Sequence, residues 1–410
     1  MSRMTNAMHG SAACATVTSE AAPGPVSRLR HIDALRAIAA LLVVWLHVSE
    51  TYVRLDASGR LGGYWLYDIA KSIDVGRIGV VVFFLISGFV IPFSIQPDRT
   101  APVATFLIKR ALRIYPAYWL SVPLGALTTF WIWGERFSGS DFLINLTLLQ
   151  DVFGVHDAVG LYWTLLVELV FYVLCVALLL SNSLFNMRRV CALAITFGFG
   201  YSLAMLTHWG GAPLMNSTAA FWLLNLSIML CGTLYRSCVV DGAASSDPWL
   251  RASVYGLLFY YIVILPSGAV WAIGFDRNAS VAYALGLLLF IVGTSGLRIT
   301  TRLTDWLGRI SYSIYLFHPV VFMGILWWLL RKPAGSWWRA QHLGVYLIVN
   351  AGLTIALAAL VYRFVEKPCI RLGHRYADQW ARRAGQRQIG AKAFVAASVA
   401  VREPIAKLPD

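Results

Sequence analysis

Charge is scarce in this sequence. Only 13% of its 410 residues are Asp, Glu, Lys or Arg, and acidic residues are the rarer sign, 20 against 34 basic. An ordinary soluble domain carries about 25% charged and 45–50% apolar residues, whereas here 58% are hydrophobic and the mean hydropathy is +0.65. A soluble fold of this length has no interior large enough for that much apolar surface, so the water-soluble globular class is excluded. Cysteine is sparse too. The six residues (Cys14, Cys175, Cys191, Cys231, Cys238 and Cys369) lie mainly in apolar runs with no Cys-x-x-Cys spacing, so neither a disulfide framework nor a metal site is expected. The chain has no Gly-x-Ser-x-Gly elbow of an acyl-serine enzyme and no glycine-rich phosphate loop of a nucleotide-driven pump. It also lacks an internal repeat and the inverted pair of broken helices from which many transporters are built. The net charge of +14 does not point to nucleic acid, because the basic residues sit in short segments between apolar runs and near the C-terminus.

What the sequence has in abundance is apolar length. Runs fall near 31–52, 75–96, 112–133, 159–181, 189–207, 219–237, 251–268, 279–297, 309–330 and 343–364. An α-helix rising 1.5 Å per residue needs about 20 residues to cross the hydrocarbon core. The expectation is an all-α, polytopic membrane protein with about ten transmembrane helices forming one bundle. An even number of crossings puts both ends on one side. Of the 34 Lys and Arg, 24 fall on that side and 9 on the other, with Arg36 inside the first run, so both termini are expected in the cytoplasm. Residues 1–27 are polar, small and Pro-containing, and are expected as a disordered cytoplasmic tail. Residues 28–373 form the membrane domain, and 374–410 a basic cytoplasmic tail. In that tail Tyr376 and Trp380, amid Arg375, Arg382 and Arg383, suit a short helix on the anionic inner leaflet.

An ionisable group inside a spanning segment costs about 2.5–3.5 kcal/mol on insertion scales, so each one needs a reason. Arg36 and His47 in HIDALRAIAALLVVWLHVSE are eleven positions apart. On a helix that is ~16 Å along the axis and only ~20° from one face, so they share a face at opposite depths. Snorkelling of Arg36 and packing of His47 would account for each residue alone. In YWTLLVELVFY the carboxylate of Glu168, with Trp163 and Thr164, is expected in the outer half of its span at the depth of His47, where it needs a partner. Arg110 and Arg113 in FLIKRALRIYPAYWL are three apart on one helical face, with Lys109 beside them. Guanidinium pairs bind phosphates bidentately, and the cytoplasm holds coenzyme A, although positive-inside anchoring explains the same residues equally well.

These segments together resemble the acyltransferase-3 family of membrane O-acyltransferases, which acylate bacterial surface polysaccharides and some secondary metabolites. The resemblance spans most of 28–373 and rests on the Arg36…His47 spacing, GRIGVVVFFLISGFVI, KRALRIYPAYW, YWTLLVELVFY, LGRISYSIYLFHPV and FVEKPCIRLG, in the family's order. It implies that His47 is the catalytic base, that Arg36 is essential with it, and that Arg110 and Arg113 serve the coenzyme A end. Trp163, Thr164 and Glu168 match the family's WTLxVE-type segment, and His318 a family position, with Trp163, Thr164 and His318 expected to bind substrate, line the pore or, for His318, serve structure. Lys109 is expected to join Arg110 and Arg113 at the cofactor. Glu366 is expected to end the last helix and pair with an arginine. The implied co-substrate is acetyl-CoA or another acyl-CoA, with no metal. The implied acceptor is a carbohydrate or lipid-linked glycan, and the implied location the bacterial cytoplasmic (inner) membrane. Glu168 is expected to orient His47 and stabilise its imidazolium. The competing readings are a carrier or flippase for a lipid-linked saccharide, in which Arg36, His47 and Glu168 line the pathway, and a structural subunit of an export complex.

Overall fold

The computed structural model describes residues 29–54, 62–134, 137–211, 213–242, 247–271, 277–333 and 335–402. The chain runs through α1 (Arg30–Arg54), α2 (Tyr64–Ser72), α3 (Val75–Val90), α4 (Pro102–Ala126), α5 (Gly139–Asn145), α6 (Tyr162–Leu180) and α7 (Met187–Trp209). It continues through α8 (Ser217–Leu234), α9 (Pro248–Phe259), α10 (Leu265–Trp271), α11 (Arg277–Ile291), α12 (Arg302–Leu330), α13 (Leu343–Val361) and α14 (Lys367–Arg402). Among the described residues nine helical stretches are long and apolar enough to cross a membrane. The remaining expected span lies in α4, which a π-helical turn extends to Ile132 and which carries Lys109, Arg110 and Arg113 in its first half. The protein is an all-α polytopic membrane protein. The first residues of α1 and the junction of α13 with α14 lie on one face of the bundle, where Ile32, Glu366 and Ile370 line a common cavity. We call this the termini face and its opposite the loop face.

Helix α3 is the centre of the bundle and packs on α1, α8 and α11. Its sequence explains how it can have close neighbours on several sides. Lipid tails are as apolar as leucine, so helices in a bilayer associate through close backbone approach at small residues rather than through a hydrophobic drive. A Cβ on Gly88 would lie 1.7 Å from the Met229 carbonyl oxygen, and one on Gly232 would lie 2.2 Å from that of Leu85. The α3–α8 crossing therefore requires glycine on both sides, and Thr233 donates a 2.9 Å hydrogen bond to the Gly88 carbonyl there.

The C-terminal part differs from the expected short surface helix. α14 has 36 residues, continues directly from α13 and packs along α4, with Gly373 against Leu112 and Arg99 ion-paired to Asp378. A short helix was expected because the segment is basic and lacks a long apolar run; the longer helix is held along α4 by Tyr376 and Trp380, which share a groove with Ile108, Ala111 and Leu112, and by the Asp378 carboxylate. The expected tail 1–27 and residues 403–410 lie outside the described residues.

On the loop face, the segment from 137 to 161 is tied down from within. A capping box of Ser138 and Asp141 starts α5, and buried Asn145 donates to the His156 carbonyl (3.0 Å) and accepts from the Ala158 amide (2.8 Å). Gln150 donates to Asp157 at 2.6 Å. Burial pushes the Asp157 carboxyl from its ordinary value near 3.8 up to about 7; the Asp151 charge acts in the same direction and the Gln150 bond opposes it. The folded protein thus keeps a proton that the unfolded chain gives up. The resulting stability is full below about pH 4 and is lost as pH rises through about 7. Asp157→Asn should melt with the wild type near pH 4 and a few degrees above it at pH 7.5. Equal melting temperatures at both pH values would show that Asp157 ionises freely in the folded protein.

Candidate active site

Arg36 and His47 both lie on the uninterrupted helix α1, so their eleven-residue separation is ~16 Å along its axis. The His47 ring is half-buried, with its centroid 5.5 Å from that of His318 on α12. His318 is fully buried, and its Nδ1 lies 2.7 Å from the Tyr315 carbonyl oxygen. A carbonyl can only accept, so Nδ1 carries the proton and Nε2 is left as a bare acceptor, buried and without a protein partner. One turn beyond His47, Glu50 pairs with Arg54 at 2.8 Å and with Lys71 at 3.1 Å, which holds the Lys71 ammonium above its ordinary pKa. Glu50 and Asp74 are the carboxylates whose charge reaches His47.

Two cavities meet at the other end of α1. The wider, about 480 Å³, opens at the termini face and is lined by Arg36, Arg113, Arg236 and Arg309, with Asp33 and Glu366 as its acids. The narrower, about 90 Å³, shares Arg36 and Arg113 and runs between α1, α3, α4, α6 and α12, past Arg110, Glu168 and Tyr172, to Thr164 and Tyr315. Arg110 donates to Ser94 at 2.6 Å and lies over the Phe106 and Tyr172 rings, 5.4 and 5.6 Å from their centroids. Arg36 is 3.7 Å from Asp33, and Arg113 makes no hydrogen bond or ion pair among the described residues. Glu366 does not end the helix, which runs on through a π-helical turn into α14. Its buried carboxylate accepts from Ser313 at 2.8 Å with, among the described residues, no arginine within ion-pair distance, so the expected pairing is replaced by a serine hydroxyl with Arg36 and Arg113 at longer range. An excess of cations over acids around a mouth that narrows inward suits an anion with a thin extension.

Glu168 does not sit at the depth of His47. It accepts from Tyr172 at 2.7 Å and from Ser87 at 3.4 Å. On α3, Gly76 abuts Leu46, the neighbour of His47, and Ser87 follows eleven residues later, or ~16 Å deeper. Glu168 is therefore level with Arg36, whose charge it faces across the narrow cavity. Thr164 bonds the Tyr315 hydroxyl at 2.6 Å and lines the narrow cavity, while Trp163 turns toward the loop face and meets Phe84 edge-on. Lys109 faces α14, with its backbone 3.6 Å from the position a Cβ on Gly373 would take, and does not line either cavity. Sequence reasoning missed Glu50 and Tyr315. Glu50 was in view as a charged residue three positions after His47, and Tyr315 as the residue one turn before His318 in SYSIYLFHPV.

The chain matches, over residues 29–363, the family model described as an acyltransferase domain. It is 27% identical to nodulation protein 10 of Rhizobium leguminosarum bv. viciae over 83% of this chain and 93% of that protein. Identity to the exopolysaccharide production protein ExoZ of Rhizobium meliloti is 25%, covering 73% and 91% of the two chains. For the peptidoglycan O-acetyltransferase OatA of Listeria monocytogenes the identity is 23%, over 83% of this chain and 56% of that one. No solved structure matches.

Proposed function

We propose a reaction for this chain from one premise: it belongs to the acyltransferase-3 family, and is an acyltransferase for groups other than aminoacyl groups. The donor is acyl-coenzyme A, in the first instance acetyl-CoA, and the acceptor is a hydroxyl of a surface or exported carbohydrate. Relatives named for exopolysaccharide production and peptidoglycan O-acetylation support that acceptor class. The observation that carries the donor is the arginine-lined mouth and the narrow cavity leading from it to Tyr315, one helical turn short of His318 and the adjacent His47. With both termini in the bacterial cytoplasm, as the 24-to-9 distribution of Lys and Arg supports, that mouth faces the compartment containing coenzyme A. Arg36, Arg110 and Arg113 hold the phosphates, and the pantetheine arm carries the thioester inward along the narrow cavity. Lys109 contributes only to the surrounding field.

Near His47 the acceptor oxygen attacks the thioester carbonyl and forms the new ester bond. His47 takes the hydroxyl proton, the carbon–sulfur bond breaks, and the proton passes to the departing thiolate. Glu50, not Glu168, is the carboxylate that steadies the charged imidazole. Glu168 balances the arginines at the donor end.

Replacing Arg110 and Arg113 together by Gln should raise the KM for acetyl-CoA by roughly tenfold or more with kcat little changed. Phosphate contacts are made equally in ground and transition states. The difference from wild type should shrink in high salt where the site is open to solvent. Unchanged acetyl-CoA affinity in the double variant would return the pair to topological anchoring. Acetyl-CoA-dependent labelling of glycan by the purified protein tests the whole reading. Protein that translocates a lipid-linked saccharide without acylating it would overturn it.

A further inference from the structure

A third cavity, about 510 Å³, opens on the loop face and takes no part in the donor path described above. Its volume falls within the ~300–1,000 Å³ range of small-molecule sites. Its walls come from the loop-face ends of α3, α6, α7, α8 and α11, and they combine two kinds of group. Trp163, Tyr201, Trp222 and Tyr283 provide aromatic surface, while Arg77 and Asn225 provide polar atoms. A pocket for a lipid tail would be apolar throughout, and one for a metal or a small anion would lack the rings. Aromatic faces beside charged and amide groups suit a ligand with flat apolar ring faces and a rim of hydroxyls, which is the chemistry of a pyranose.

The cavity also adjoins the narrow one. Trp163 forms one wall and meets Phe84 edge-on with ring centroids 6.3 Å apart, and Phe84 lines the narrow donor cavity. The two rings thus place a wall of each cavity in contact with the other. Two turns before Phe84 on α3, Arg77 is ion-paired to Asp74 at 2.8 Å, and the Asp74 charge reaches His47. A chain of sugar rings seated against Trp222 and extending over the start of α3 would bring a hydroxyl toward His47. Asn225 is held by the Tyr283 hydroxyl at 2.5 Å, so the floor of the cavity is fixed before any ligand arrives.

We infer that this loop-face cavity is the acceptor subsite and binds one or more pyranose rings of a glycan, with Trp163 and Trp222 as stacking surfaces and the Arg77 guanidinium donating to sugar hydroxyl oxygens. The assignment deepens the acyltransferase reading above and rests on it for the identity of the reaction.

The test uses the full chain, purified in detergent. The probe is the tritium-labelled surface-glycan fraction of the producing cells, stripped of esters by mild alkali. Two variants are compared with wild type: Trp222→Ala, which removes a stacking face, and Thr218→Trp, which fills the exposed rim from a position outside the core. Gel filtration and thermal melting confirm that each variant is folded. Glycan retained on immobilised protein should fall about tenfold or more in both variants. In a parallel assay with labelled acetyl-CoA, the concentration of glycan giving half-maximal transfer should rise by a similar factor. Folded variants that retain and saturate with glycan as wild type does would overturn the subsite and leave the reaction standing. Wild type that retains glycan in a Trp222-dependent way but transfers no acetyl group would overturn the reaction and leave the cavity as a glycan site. Release of the retained glycan by added phospholipid but not by unlabelled glycan would overturn the subsite.

Discussion

His47→Gln should abolish acyl transfer, lowering single-turnover formation of the acetyl ester by about 10²–10⁴-fold, the usual size of a lost general base. Glutamine keeps a polar side chain of similar reach but offers no group that can take a proton near neutral pH. The change creates no large cavity, because the His47 ring is only half-buried and its neighbour His318 is held separately by the Tyr315 carbonyl. The variant should therefore insert normally. It should also bind acetyl-CoA as wild type does, because the arginine-lined mouth lies ~16 Å away along α1. The measurement is transfer of a labelled acetyl group from donor to glycan in liposomes, with donor binding followed separately. Near-normal turnover would place His47 among the packed intramembrane histidines and require another base. The bare, buried Nε2 of His318 would be the first group to examine.

The arrangement of α1 was readable from the sequence because one rigid helix carries both residues. Eleven positions fix a separation and an angle without any knowledge of neighbours, and α1 has no interruption to disturb either. The depth of Glu168 was not readable in the same way. Counting from the start of its apolar run assumes that the run begins at the membrane surface. The segment before α6 is itself buried: Leu148, Ala158 and Tyr162 are each 0% exposed, and Asn145 and Gln150 tie the backbone inward. α6 therefore starts well inside the bundle, and six residues into it the chain has already reached the level of Ser87 and Arg36. Only a neighbouring helix of known register reveals this. The roles of the glycines in GRIGVVVFFLISGFVI were hidden for a similar reason. A glycine in an apolar span says that something comes close, but not that it is the α8 backbone at Met229.

Arg36→Gln should reduce kcat/KM for acetyl-CoA by roughly 10–100-fold, with most of the loss in KM. Arg36 lines both the wide and the narrow cavity and stands where the mouth narrows, with Asp33 at 3.7 Å, Glu168 across the narrow cavity, and Arg113 beside it. A charge-assisted bond to a phosphate oxygen at such a partly desolvated position contributes about 1.5–3 kcal/mol, which is the fold-change given above. The same cation offsets the negative charge of Asp33 and Glu168, so its removal also leaves acids facing an anionic donor. Lysine should restore only part of the affinity. It returns the charge, but its ammonium is a point donor that cannot span two phosphate oxygens as a guanidinium does. A structural role alone would produce a different pattern, in which Gln and Lys both lower the melting temperature while the KM of the surviving folded protein stays at the wild-type value. Acetyl-CoA kinetics of the folded Arg36→Gln enzyme matching wild type would therefore remove Arg36 from donor binding and leave Arg110 and Arg113 as the phosphate-binding pair.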